Sequence, residues 1–114
     1  MFSHVTLGTN DWAAARPFWL AVMDVLGHPV MFERPGGIAF GSPTGPKTFV
    51  GPTFDERPAQ PGNGVHIAYL VGSRETVDAF HAAALANLSK LGAEDPKTQK
   101  SRAKAAAEFM ELKL

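Results

Sequence analysis

Four histidines and no cysteine define the side-chain chemistry open to this 114-residue chain. Thiol catalysis, disulfides and cysteine metal sites are excluded. Two of the histidines, His4 and His66, stand near the start of look-alike segments, FSHVTLGTND at residues 2–11 and GVHIAYLVGSRE at residues 64–75. A neutral imidazole ligates a divalent metal through one ring nitrogen, and two on facing strands supply part of a tetrahedral or octahedral set. A non-haem iron site would add one carboxylate and leave positions open for substrate oxygens. On spacing alone the pair reads as two hydrogen-bonded strand residues; matching places in two repeated units point instead to a shared site. His28 follows Gly27 in a turn and His81 borders an apolar helix stripe, so neither has an evident role. Glu33 is the best carboxylate of the first half, although an exposed strand glutamate is more often structural.

The elements that must position these residues follow from hydrophobic period. Phe2, His4 and Thr6 alternate with Ser3, Val5 and Leu7, which predicts a strand with Val5 and Leu7 toward a helix layer. Thr9 or Asn10 is placed to cap the next helix, with Asp11 near the positive end of its dipole. Trp12, Ala15, Phe18, Trp19, Val22 and Leu26 make its apolar stripe and Gly27 stops it. Pro17 inside that stretch predicts a kink, or a start nearer Arg16. Three strands are expected in PVMFER, GIAFGS and KTFVGPTF, separated by Pro35-Gly36-Gly37 and by the turn at 42–46. The Pro- and Gly-rich run DERPAQPGNG joins the halves.

The second unit is expected to open with a strand holding Val65, Ile67, Tyr69 and Val71 on one face and His66, Ala68 and Leu70 on the other. Ser73 is its helix cap, Val77, Phe80, Ala84, Leu88 and Leu91 its stripe, and Gly92 its stop. Beyond Gly92 the text is rich in Lys, Arg and Ala, which predicts a polar linker and a C-terminal helix; Phe109, Met110, Leu112 and Leu114 would alternatively form one last strand.

Length allows one domain with a modest core. Eleven basic and eleven acidic residues cancel, which offers no electrostatic reason to expect nucleic acid or an anionic membrane as partner. No apolar run approaches a membrane span, and no basic-then-apolar leader opens the chain, so a soluble, cytoplasmic protein is expected.

Together FSHVTLGTND, KTFVGPTFDERPAQPGNGVHIAYLV and SRETVDAFHAAAL resemble the vicinal-oxygen-chelate superfamily: glyoxalase I, bleomycin-resistance proteins and extradiol dioxygenases. The resemblance covers about residues 1–86 and is most specific from Phe49 to Val71. It implies an α+β fold: a single glyoxalase-like domain with a βαβββ module at 1–54, the start of a second module at 64–92 and a divergent tail at 93–114. It also implies that His4 and His66 are metal ligands, with Glu111 the nearest candidate for the missing carboxylate. The metal would be nickel, zinc, iron or manganese, and a site without metal is equally open. Phe2, Phe40, Phe49 and Phe54 would line a concave sheet that takes an aromatic or amphipathic small molecule. The implied activities are a metal-dependent lyase or dioxygenase, a metal-free resistance-type binder, or a degenerate module without catalysis. A second module short of strands leaves an edge exposed, so a homodimer is expected.

Overall fold

In a computed structural model of the chain, residues 2–88 are described. Strand β1 (His4–Gly8) leads into helix α1 (Trp12–Leu26), followed by β2 (Val30–Arg34), β3 (Gly37–Gly41), β4 (Lys47–Gly51) and helix α2 (Arg74–Leu88). The first five elements are the βαβββ module. No described helix is long and apolar enough to cross a membrane.

Helix α1 starts at Trp12 rather than near Arg16 and runs through Pro17 without a break in assignment, although the proline has no N–H for the Ala13 carbonyl. Its cap is Asp11, whose extended backbone lets the carboxylate accept from the Ala14 N–H at 3.1 Å. Neither Thr9 nor Asn10 takes that place. Thr9 instead braces Asp11, accepting from its N–H at 3.3 Å, and Asn10 is committed elsewhere. Gly27 ends the helix in the left-handed region, at φ 73°, and its N–H and that of His28 cap the carbonyls of Asp24 and Met23. On α2 the Ser73 hydroxyl accepts from the Thr76 N–H at 3.2 Å, as its sequence position predicts.

The sheet has the order β1-β4-β3-β2, with β1 and β4 parallel and the other pairs antiparallel. Gly41 turns the chain between β3 and β4 at φ 124°, where any side chain would collide with the Pro46 carbonyl. Alternation divides the sheet into two faces. Val5, Leu7, Ile38, Phe40, Thr48 and Val50 look toward the helices, where Val22 and Met23 of α1 and Phe80 and Ala84 of α2 complete the core. Glu33 lies on this side also, and Arg16 of α1 grips its carboxylate in a two-pronged ion pair. That pairing holds the Glu33 carboxyl below, and the Arg16 guanidinium above, their ordinary pKa values.

One expected strand is missing. Residues 65–71 are unassigned to any strand, because no described segment lies alongside to share hydrogen bonds. The alternation survives nevertheless: Ile67, Tyr69 and Val71 are half-buried while His66, Ala68 and Leu70 are exposed. Tyr69 ties the segment down. Its hydroxyl is 3.0 Å from the Thr48 hydroxyl and its ring meets His28 edge-on at 5.9 Å. Burial raises the Tyr69 pKa, opposed by the Thr48 hydrogen bond, and burial lowers that of His28. The expected stop at Gly92 and the tail from 93 onward lie outside the described residues.

Two measurements test this packing. Phe40 is 1% exposed, so Phe40→Ala should lower the unfolding free energy in urea by about 3–5 kcal/mol, whereas Phe54→Ala, at a fully exposed position, should change it by less than about 0.5 kcal/mol. Equal losses would contradict the division of faces. His28 binds its proton less readily in the folded chain than in the unfolded one, so the unfolded state carries more protons and stability rises with pH. The urea midpoint should therefore climb as pH passes upward through the ordinary histidine pKa of about 6.5. The His28→Leu variant should show a shallower slope there; an identical slope would remove His28 as its source.

Candidate functional site

The face of the sheet turned away from the helices carries an aromatic row. His4 of β1 stacks on Phe49 of β4, ring centroids 4.7 Å apart and planes inclined by 23°. Phe49 in turn meets Phe32 of β2 at 5.9 Å. These last two strands are not neighbours. They touch because the β3 residue in register between them is Ala39, small enough to be roofed over, and it has no exposed surface. The row thus crosses the sheet from one edge to the other. Thr6, Lys47 and Arg34 share its face by register, with the Lys47 ammonium donating to the Gly45 carbonyl at 3.0 Å.

Of the four phenylalanines expected here, the structure puts Phe49 on this face and Phe40 on the opposite one, sealed in the core. Phe40 is corrected on simple parity: it pairs with Thr48, one residue out of phase with Phe49. Phe2, 84% exposed ahead of β1, and Phe54, fully exposed beyond β4, make none of the ring contacts of the row. Phe32, the third ring of the row, was not among the expected lining residues. A register irregularity between Val30 and Phe32 sets it opposite Ala39, and a bulge leaves no mark in hydrophobic period.

Beyond the outer edge of β1 opens a cavity of about 810 Å³. Leu7, Phe18, Trp19, Ile67 and Leu88 supply apolar walls, and Asn10 and His66 stand among its polar lining. Asn10 fixes one rim by a two-way amide exchange with Ala59, donating to its carbonyl at 2.9 Å and accepting from its N–H at 2.6 Å. That bond holds the 52–61 loop over the end of β1, where Gly8 leaves room for Thr53 and Ala59.

The two histidines take different positions in this geometry. His4 is on the open face, its Nδ1 3.2 Å from the Ser3 hydroxyl, and is not part of the cavity lining; His66 is. Both are exposed. Among the described residues no three metal-ligating side chains gather into a group, and Glu111 lies outside those residues. Two imidazoles on different surfaces, with no carboxylate beside them among the described residues, are an incomplete donor set for a metal.

No family model matches the chain, and no curated relative does. Among solved structures, the fold is similar to a crystal structure of a glyoxalase/bleomycin resistance protein from Albidiferax ferrireducens T118, with a TM-score of 0.69 and 33% sequence identity over 76% of this chain and 69% of that one. Fold, sequence identity and coverage agree with the βαβββ order and the one-sided sheet: this chain belongs to the glyoxalase/bleomycin-resistance proteins of the vicinal-oxygen-chelate superfamily.

Proposed function

We propose that this chain is a small-molecule binding protein that holds a flat, apolar or aromatic ligand against the open face of its sheet. The observation that carries the reading is the continuous row His4–Phe49–Phe32. An antiparallel sheet face left to water ordinarily alternates to polar residues. Here the centre of the face is aromatic, Phe32 is 48% exposed, and no described side chain covers it. Flat rings stack on such a surface with modest gain per pair, about 0.5–1.5 kcal/mol beyond area burial. Arg34 and Lys47 on the same face favour a ligand with an anionic group at its margin. The structural neighbour is a glyoxalase/bleomycin resistance protein, and its kinship is consistent with a small-molecule ligand.

A metal-assisted reading has one observation in its favour. The described residues offer His66 no hydrogen bond and His4 only the one to Ser3, so ring nitrogens remain open on both. It needs a carboxylate such as Glu111 to complete the set.

Both readings are separable by amide and imidazole NMR. Titration with 2-naphthoate should shift Thr6, Phe32, Ala39 and Phe49, with cyclohexanecarboxylate a weaker ligand. Phe49→Ala should weaken naphthoate binding about tenfold, a change of about 1.4 kcal/mol, and Phe54→Ala should leave it unchanged. Shifts confined to Leu7, Phe18 and Trp19 would move the site to the cavity and defeat the proposal. Nickel, zinc, manganese or iron(II) that perturbs the His4 and His66 rings together, and fails to do so in His4→Ala, would favour the metal reading.

A further inference from the structure

The ladders that set the aromatic row also set what lies on either side of it. One flanking row carries Lys47 beside His4; the other is glycine across three strands, Gly8, Gly51 and Gly37, and ends at Arg34 on β2. None of the strand residues on this face is acidic. The carboxylate nearest in sequence, Glu33, is on the helix side and is held there by Arg16. Two cations therefore flank the row, one on each side, with no strand carboxylate facing them.

The two cations are not equivalent. Lys47 already donates to the Gly45 carbonyl at 3.0 Å. The Arg34 guanidinium makes no hydrogen bond or ion pair with a described residue. An unpaired arginine is ordinary on a protein surface; what distinguishes this one is where it lies. Gly37 stands opposite it in register. With no side chain there, the Arg34 stem lies down across the strand: a Cβ on Gly37 would meet its Cγ at 3.9 Å and its Nε at 3.6 Å. The arm is thus seated on the sheet by its apolar stem, with its donors left to solvent beside the aromatic row.

We infer that Arg34 is the anion anchor of this face and selects a ligand whose carboxylate is bonded directly to its flat ring system, an inference that rests on the aromatic row being the ligand platform. A guanidinium presents parallel N–H donors that match the two oxygens of a carboxylate, which an ammonium does not. Phe32 and Arg34 are two residues apart on one strand, a separation of about 6.8 Å. A charge-assisted bond of about 2.8 Å leaves about 4 Å from ring centre to acid oxygen. An aryl carboxylate spans that distance, and an acid on a flexible chain overshoots it.

The test compares three ligands on the full-length protein at low salt, where surface charge is least screened: 2-naphthoate, its neutral isostere 2-naphthamide, and 3-(2-naphthyl)propanoate. Binding is read by NMR at the Phe49 amide and at the Arg34 Nε–H. The wild type should prefer naphthoate to naphthamide by about fivefold, and Arg34→Gln should bring the two level. Lys47→Gln should reduce the preference by less than about twofold, and the propanoate should depend on Arg34 by less than about twofold. A preference that survives Arg34→Gln, one that is lost in Lys47→Gln, or a propanoate as dependent on Arg34 as naphthoate would each overturn the inference. Naphthoate that moves Phe49 and leaves the Arg34 Nε–H still would also overturn it, with the aromatic platform intact. Naphthoate that moves the Arg34 Nε–H and no ring residue would overturn the platform and leave Arg34 as an anion anchor; no shift at either would overturn both.

Discussion

The parallel ladder between β1 and β4 joins segments far apart in the chain, His4 opposite Lys47 through Gly8 opposite Gly51, and everything between them must be accommodated for it to form. A parallel pair cannot close through a tight turn and needs a crossover. Helix α1 provides it, and the β2–β3–β4 meander returns the chain to β1 from the far side. Loop closure over this distance costs entropy that local hairpins do not incur. The helix offsets it by burying Val22 and Met23 on the sheet it has just crossed. The same ladder fixes which groups of β1 point outward, brings His4 onto Phe49, and leaves Leu7 as a wall of the cavity. A different register would dissolve all three features together.

Side-chain size within the sheet then decides what its open face can be. A larger residue at Ala39 would stand between Phe32 and Phe49 and split the row into two isolated rings. On the helix side the neighbours of Ala39 are Ile38 and Phe40, both buried. Strand β3 is thus bulky where it faces α1 and α2 and minimal where it faces outward. That asymmetry is the reverse of a strand packed on both faces.

Much of this was legible from residue order. The period-two pattern of Val5 and Leu7, the strands inside PVMFER, GIAFGS and KTFVGPTF, and the Ser73 cap all depend on local chemistry, and all stand where their sequence places them. What escaped was non-local. Asp11 caps α1 in preference to Asn10 because Asn10 is drawn to Ala59, a partner 49 residues away. The 65–71 segment has the composition of a strand, but strand formation needs a neighbour, and pattern within one segment does not report whether one exists. The face of Phe32 depended on a bulge, and that of Phe40 on counting from the β3–β4 register. His4 and His66 hold equivalent places in the repeated text, yet one looks out from the sheet face and the other into the cavity. Equivalence in sequence carries over to a shared site only if the two units are built alike, and the 65–71 segment that would make them so has no paired neighbour among the described residues.

The aromatic face and the open edge make different physical demands. The face is already complete: its backbone is hydrogen-bonded on both sides of β4 and β3, and only side-chain surface is left to water. Covering it yields hydrophobic and stacking contacts and requires no particular backbone. The edge is incomplete in its backbone, and a small molecule with one or two polar atoms cannot meet a row of alternating donors and acceptors. Only another polypeptide matches that periodicity. Geometry therefore sorts the two surfaces by the class of partner each can take, chain for the edge and small molecule for the face. His4 belongs to both: its backbone lies on the edge and its imidazole on the aromatic row.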